Sequence, residues 1–485
     1  MTRKATRREF IGMSAAFAAL AGCGSGRFAD VCANRCGKKR WYKGNLHTHT
    51  FWSDGLAFPE EAVAWYKSHG YNFLGLSDHN LFQSDTDRWT TIIGDDEPFV
   101  RPENKGDINY RYYPCVARRY FEMYRKAFPD APTRTDASGR FQTRLGTFGE
   151  LSARFNSPGE FLLLPDVEAT RAVKYADGRQ HQVHMNYINI PQLLPSFLEK
   201  GFNRFAEGVS LVDFVAAHAD ETASVAKSLG APHLFVLNHP IWKWYDVGPD
   251  AVAESPDVRF FEVCNNGGTF APAAGVPADG LDTDRFWDVA NAFRARRGMP
   301  LLYGIGTDDT HYYRGEPGPM LMPGNAWTLV RAASLDAASL VAAMLAGDFV
   351  ACEGIEPDDV MFDRASGTLE VSVPAGATER TVSFIVSKRD FKEEPVGRMT
   401  VRPKESLDTA KYQREIAIYE EKVGMTVRTV TAKPGEPVRA SYTMGRDDLY
   451  VRARIVEKGD TLCKAPLHPQ GLHVAWTQPY ANCGV

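Results

Sequence analysis

Seven short apolar segments, each closing on a polar residue that can bind a metal ion, recur along this chain at residues 44–49, 72–79, 161–168, 182–190, 233–239, 259–265 and 301–311. Segments of this length and apolar content read as buried β-strands. Amphipathic helical patterns lie between several of them. One covers residues 59–69, with Pro59 at its first position and Gly70 just past its end, and others cover 211–229, 283–297 and 335–345. Strands alternating with helices predict an α/β fold, and in α/β barrels chemistry gathers at the carboxyl ends of the strands. The polar residues of this chain fall at those ends.

At 485 residues the chain is long enough for two domains, or for one large domain with an appendage. Residues 44–355 carry the strand–helix rhythm, interrupted at 84–160 by charged, aromatic and proline-rich sequence without a clear strand period, expected to be an insertion near the mouth of a site. From 356 to 485 the pattern turns to period-two alternation, as in Val451, Ala453 and Ile455 against Arg452 and Arg454. That alternation predicts an antiparallel, β-sandwich-like carboxyl-terminal domain. A charged stretch at 404–422 interrupts it and reads as a helix or a long hairpin.

With 44% hydrophobic and 24% charged residues and a net charge of −4, the composition excludes wholesale disorder and a general polyanion-binding surface. No stable nucleic-acid partner is expected. Residues 1–22 hold Arg7-Arg8 and a short apolar run ending in Leu20-Ala21-Gly22-Cys23, the pattern of a twin-arginine export signal. The run is too short to span a bilayer, and no later stretch is long and apolar enough to do so. Leu-Ala-Gly-Cys resembles a lipoprotein cleavage site, which would make Cys23 the lipidated first residue and tether the chain to a membrane; the alternative is a plain signal peptide cut nearby. A basic linker runs from 23 to 43. Of the eight cysteines, Cys32 with Cys36 and Cys463 with Cys483 are the expected disulfides of an exported chain.

His47-Thr48-His49 places two imidazoles on one face of a strand end, where they can share an ion, and Asp54 follows on the next loop. Ser77-Asp78-His79 ends the second apolar segment. Asp166 and Glu168 close the third, where a carboxylate beside a buried strand is costly unless something pairs it. His184 lies within the fourth, and Asn238-His239-Pro240 and Asp308-Asp309-Thr310-His311 complete the series. Taken singly, each has a bland reading as a core histidine or a helix-capping aspartate. Six of the twelve histidines fall at or near strand ends together with Asp54, Glu168 and Asp309, and coincidence does not explain that.

Taken in order, these motifs resemble the polymerase-and-histidinol-phosphatase (PHP) domain over roughly residues 40–355. The resemblance implies a distorted (β/α)7 barrel holding two or three divalent ions, variously manganese, iron or zinc. It implies that His47, His49, Glu168 and Asp309 build one site, that Glu168 bridges to a second held by His184 and His239, and that Asp54, His79 and His311 serve a third. Asp54 stands where some members carry histidine.

Such a cluster points to hydrolysis by metal-activated water at a di- or trinuclear site, with a small phosphorylated compound as the expected substrate. Glu168, Asp309 and His311 are the candidate catalytic groups, ligands first and proton carriers second. Arg171, Arg179, Lys243 and Arg314 follow candidate strands and could meet phosphate, and Glu262, Asn265 and Asn266 could line the cleft. The chain is expected to be a periplasmic or membrane-anchored phosphoesterase. Two alternatives stay open: hydrolysis of a non-phosphate ester or amide, and a surface binding lipoprotein with a structural metal cluster.

Overall fold

The computed structural model describes residues 39–97, 115–175, 180–196, 205–241, 247–265, 282–313, 321–401, 414–459 and 472–482. The export segment with Cys23, the four cysteines expected to pair, and Arg179, Lys243, Asn266 and Arg314 lie outside these residues. Trp41–Val485 form one compact unit. Among the described residues no helix is long and apolar enough to cross a membrane.

The chain opens with β1 (Arg40–Asn45), α1 (Pro59–Ser68) and β2 (Phe73–Leu76). Pro59 sits in the first turn of α1, where its missing N–H costs nothing, and Glu61 accepts from the Phe58 N–H. The segment expected to lack strands instead forms a small four-stranded sheet, β3 (Trp89–Ile93), β4 (Cys115–Ala117), β5 (Thr133–Thr135) and β6 (Phe141–Arg144), with helices α2 (Arg118–Ala127) and α3 (Phe148–Phe155). Its strands are three to five residues long and mostly half-exposed, so no apolar alternation marks them. It packs on α1: the Tyr124 ring stacks on Phe58 at 3.9 Å, and buried Trp52 donates to the Gly146 carbonyl.

The rhythm resumes with β7 (Leu162–Pro165), β8 (Glu168–Lys174), β9 (Gln180–Ile188), β10 (Phe205–Glu207), α4 (Leu211–Leu229), β11 (Leu234–Leu237), the short α5 (Pro249–Ala253), β12 (Phe260–Asn265), α6 (Thr283–Arg296), β13 (Tyr303–Thr307), β14 (Trp327–Ala332), α7 (Ala337–Leu345) and β15 (Phe349–Glu353). All seven predicted strands exist, as β1, β2, β7, β9, β11, β12 and β13. Two details differ from the expectation. Glu168 begins β8 rather than ending β7, and β8 turns straight back into β9, so β9 runs antiparallel to β11 while the other six follow parallel pairings.

The expected barrel is not closed. The ladders fall into two sheets, one holding β15-β14-β1-β2-β7 in that order and the other β10-β8-β9-β11-β12-β13. Between the β7 and β9 segments isolated bonds cross, from Tyr187 N–H to the Val167 carbonyl, from Asn189 N–H to the Pro165 carbonyl and from Asn186 Nδ2 to Asp166 Oδ2. At the other seam, side chains take the place of a strand. Thr328 Oγ1 accepts from the Gly306 N–H and donates to the Gly306 carbonyl, and the Gln478 amide exchanges two 2.9 Å bonds with the backbone of Gly304. These bonds satisfy a buried edge that would otherwise be left with orphaned polar groups.

The carboxyl-terminal strands are β16 (Asp359–Asp363), β17 (Thr368–Val373), β18 (Arg380–Lys388), β19 (Gly397–Val401), β20 (Arg414–Ile418), β21 (Met425–Ala432), β22 (Val438–Thr443), β23 (Asp448–Lys458), β24 (Leu472–Thr477) and β25 (Tyr480–Ala481). The order β21-β18-β23-β24 continues through β15 into the first sheet, and β16-β17-β22 form a separate antiparallel sheet. Alternate side chains such as Leu369, Val371, Val382, Phe384, Ala453 and Ile455 are buried in one core cluster. β20 pairs antiparallel with β19, so the described part of the charged stretch begins with a strand, not a helix.

Candidate metal centre

Short backbone links bring the carboxyl ends of the strands together. Thr48 bridges to Thr310 and His79 to Glu168 in parallel register, and His49 N–H donates to the Thr310 carbonyl. Each pairing carries a polar side chain from two different segments to one point. Asp78, fully buried, accepts from Thr50 N–H, Thr50 Oγ1, Ser53 Oγ and Gln83 Nε2, and so clamps the loop that presents Asp54. Gly55 lets that loop fold back, since a Cβ there would lie 2.4 Å from the His49 carbonyl carbon.

All nine sequence-predicted ligands converge. Asp309 Oδ1 lies 3.2 Å from His47 Nε2 and 3.1 Å from His49 Nε2. Glu168 Oε2 lies 3.4 Å from His47 Nε2, 3.3 Å from His49 Nε2 and 2.8 Å from His79 Nδ1. Glu168 Oε1 lies 3.0 Å from His184 Nδ1 and 3.4 Å from His239 Nε2. Asp54 Oδ1 lies 3.5 Å from His79 Nε2 and 3.3 Å from His311 Nε2. Three sets are tight enough to hold an ion: His49, Asp54, His79 and His311; His47, His49 and Asp309; and His47, Glu168 and His239. They share His47 and His49, so the three sets form one continuous cluster, and His184 joins it through Glu168. The mouth lies on the side of Asp54, Asp309 and His311, whose side chains are 11–13% exposed while His47 and His49 are fully buried.

The residues fit divalent ions. Mixed imidazole and carboxylate donors suit zinc, iron or manganese. His47 Nε2 and Glu168 Oε2 are buried, face each other, and make no hydrogen bond, an arrangement that is expensive unless a cation satisfies both. The backbone is strained at two ligands, with φ of +24° at His239 and +49° at Asp309, as expected where the surrounding structure holds a site in place.

Electrostatics sort the imidazoles. Burial, together with the nearby His311 and His79, lowers His49 to about 3, and burial lowers His184 to about 4 despite Glu168. Burial also acts to lower His47, His239 and His311, but carboxylates outweigh it: Asp309, Glu262 and Glu168 hold His47 well above its ordinary value, a hydrogen bond donated to Glu168, together with Glu262 and Asp309, raises His239, and Asp54 raises His311 to about 9. Glu168 and Asp309 are held well below the usual carboxylate range: burial would raise them, and the surrounding histidines prevail.

In the metal-free chain His311 therefore carries its proton at neutral pH, where a cation would have to displace it, and the neighbouring carboxylates favour the protonated forms of His47 and His239. For His311, raised from 6.5 to about 9, the folded metal-free state holds the proton longer than the unfolded chain. Its contribution to stability is full below pH 6.5 and is lost as pH rises through 9. Zinc titrations between pH 6 and 9 are expected to show affinity rising with pH and protons released on binding, and Asp54→Asn is expected to flatten that dependence. Affinity independent of pH would contradict this protonation pattern.

Other predicted residues take different places. Asn265 is fully buried and donates its amide to Glu262 Oε2. Arg171 is buried and donates to Ser196 Oγ at 3.4 Å. Asp308 caps no helix: its two oxygens accept from the backbone N–H groups of Gly324, Asn325 and Ala326, from Tyr66 and from Asn45. Asn45, Tyr66 and Asp308 are hydrogen-bonded to one another in a polar floor that the sequence did not announce. Its signal was a run of polar residues at segments otherwise buried.

No protein-family model matches the chain, and no curated protein does. Among solved structures, a two-domain protein from Bacteroides vulgatus containing a PHP-like metal-dependent phosphoesterase, itself assigned by prediction, is similar at 14% identity and a TM-score of 0.35, over 90% of this chain and 95% of that one. A protein from Bifidobacterium adolescentis described as a metal-dependent phosphoesterase and an amidohydrolase from Chromobacterium violaceum are similar at 14% identity and a TM-score of 0.25. Each aligns over 57% of this chain, and over 90% and 89% of its own length respectively.

Proposed function

We propose that the chain is a metal-dependent phosphoric ester hydrolase with a di- or trinuclear centre, acting outside the cytoplasm on a small phosphorylated substrate. The observation that supports this above all is the sharing of carboxylate oxygens: Asp309 Oδ1 faces three imidazoles and Glu168 reaches five. Divalent ions held there would lower the pKa of water toward ~7 and neutralise phosphoryl oxygens.

The chain's own residues supply the rest. His49 and His184, with pKa values of about 3 and 4, offer lone pairs at neutral pH. Glu168 and Asp309 stay ionised. His311, at the mouth and 3.3 Å from Asp54 through Nε2, is the group placed to hold or pass a proton where substrate arrives. The buried walls keep water away from His47 and His49.

The test is a panel of phosphomonoesters, phosphodiesters, carboxylic esters and amides, offered to metal-loaded, chelated and His49→Ala protein. Phosphate release by the loaded wild type alone is the expected result. Turnover of carboxylic esters or amides only would replace the phosphoester reading with the broader metallohydrolase one, and undiminished activity after chelation would remove the metal from it. Export rests on the twin-arginine segment and Cys23; fractionation of host cells checks it, a purely cytoplasmic chain being the contrary outcome.

A further inference from the structure

Beneath the cluster, and outside its three tight ligand sets, sits a fully buried carboxylate. Glu262 ends no strand and faces no solvent; it lies in β12, with neighbours on every side. Its Oε1 is 2.6 Å from His47 Nδ1 and accepts from Thr307 Oγ1 at 2.6 Å. Its Oε2 accepts from the His239 backbone N–H at 2.7 Å and from Asn265 Nδ2 at 2.8 Å. A carboxylate has about four lone-pair positions, and here four partners take them. Glu262 therefore has nothing left to offer an ion, unlike Glu168, whose Oε2 makes no hydrogen bond.

We propose that Glu262 is a positioning residue that fixes His47 as the Nδ1–H tautomer, so that Nε2 faces Asp309 and Glu168 as a lone pair, and that it also holds the strained backbone of His239. The inference rests on the metal reading above and deepens it. The physical reason is geometric. Oε1 already accepts from Thr307 Oγ1 and lies 2.6 Å from Nδ1, a geometry that places the shared proton on Nδ1 and leaves the other ring nitrogen for coordination; partners of this kind fix ring orientation and ligand basicity. The same residue reaches the neighbouring ligand through its main chain: the His239 N–H, at a φ of +24°, is anchored by Oε2. Two ligands from different strands, His47 after β1 and His239 after β11, are thus registered by one side chain on a third.

Glu262→Gln tests this, because it keeps the shape and changes the polarity. With its amide nitrogen toward His47, the variant donates to Nδ1 and forces the proton onto Nε2; with the amide reversed, the nitrogen meets the His239 N–H instead. Either orientation opposes one ligand. Zinc titration is expected to show at least one equivalent weakened by about 10–100-fold, and long-range proton–nitrogen spectra of the zinc-loaded chain are expected to lose the His47 Nδ1–H signal present in the wild type. Thr307→Val removes another donor from the same oxygen without touching the tautomer, and is expected to keep that signal and to bind zinc within about threefold of wild type. If Glu262→Gln keeps both the signal and the affinity, or if Thr307→Val weakens zinc equally, the positioning role is wrong and Glu262 is merely structural. A wild-type chain that takes up no zinc overturns the metal reading itself, and is distinguished by failing before any variant is compared.

Discussion

Glu168→Gln is expected to abolish polynuclear metal loading and to reduce hydrolysis by at least the ~10²–10³-fold that loss of one transition-state-stabilising group costs. Glu168 is the one side chain that approaches His47, His49, His79, His184 and His239. Asn238 Nδ2 also donates to its Oε1. An amide in that position loses the charge that would offset bound cations, and turns N–H bonds toward nitrogens that would need to donate lone pairs. The measurement is elemental analysis of the purified variant beside wild type, with circular dichroism to show that the fold persists. A variant that keeps its full metal complement and its turnover would show that Glu168 is not shared between ions.

The second large effect is on stability and lies far from the metals. Arg452 on β23 is fully buried and forks onto α6: Nε and Nη2 donate to the two oxygens of Asp288 at 2.8 and 2.6 Å, while Nη1 lies 2.8 Å from Asp284 Oδ1. Tyr450 donates to Asp288 and Trp476 to Asp284, and the half-exposed Arg454 Nε lies 3.4 Å from Asp284 Oδ2, so Asp284 has a second cation beside it. Truncating Arg452→Ala strips the fork from buried Asp288 and leaves Asp284 with Arg454 as its cation, a loss of about 3–5 kcal/mol. It should appear as a lowered urea midpoint and as easier proteolysis of the carboxyl-terminal strands. Replacing all three charges together, as Arg452→Met with Asp284→Asn and Asp288→Asn, is expected to recover most of the loss, because the penalty belongs to the unpaired charge rather than to the missing bridge. A single Arg452→Ala variant as stable as wild type would mean that water reaches this site.

These two residues show what kind of information a sequence carries. Glu168 was legible because it ends an apolar run in a series of similar endings, and a repeated costly feature demands a common cause. Arg452 was not, because it occupies an outward-looking position in a period-two strand, and alternation alone assigns it to solvent. Only the docking of α6 against β23 turns that face inward. The same holds for Glu262, read as one of several residues able to line the cleft; its four partners come from β12, β13 and the segments just after β1 and β11.

The sequence by itself determined the seven strands, four of the helices and the nine side chains of the cluster, because strand length, helical period and ligand chemistry are local properties. It did not determine that β9 runs antiparallel, that the barrel stays open at two seams, or that 84–160 holds a small sheet. Those outcomes depend on which edges find partners: Thr328 and Gln478 satisfy β13 with side-chain bonds, and nothing in the spacing of the strands announces that a threonine and a glutamine distant along the chain will arrive there. Nor could it rank the imidazoles. His49 at about 3 and His311 at about 9 are the same residue type near the same cluster, separated by depth and by which carboxylate stands beside each, and depth is decided only when the chain has folded.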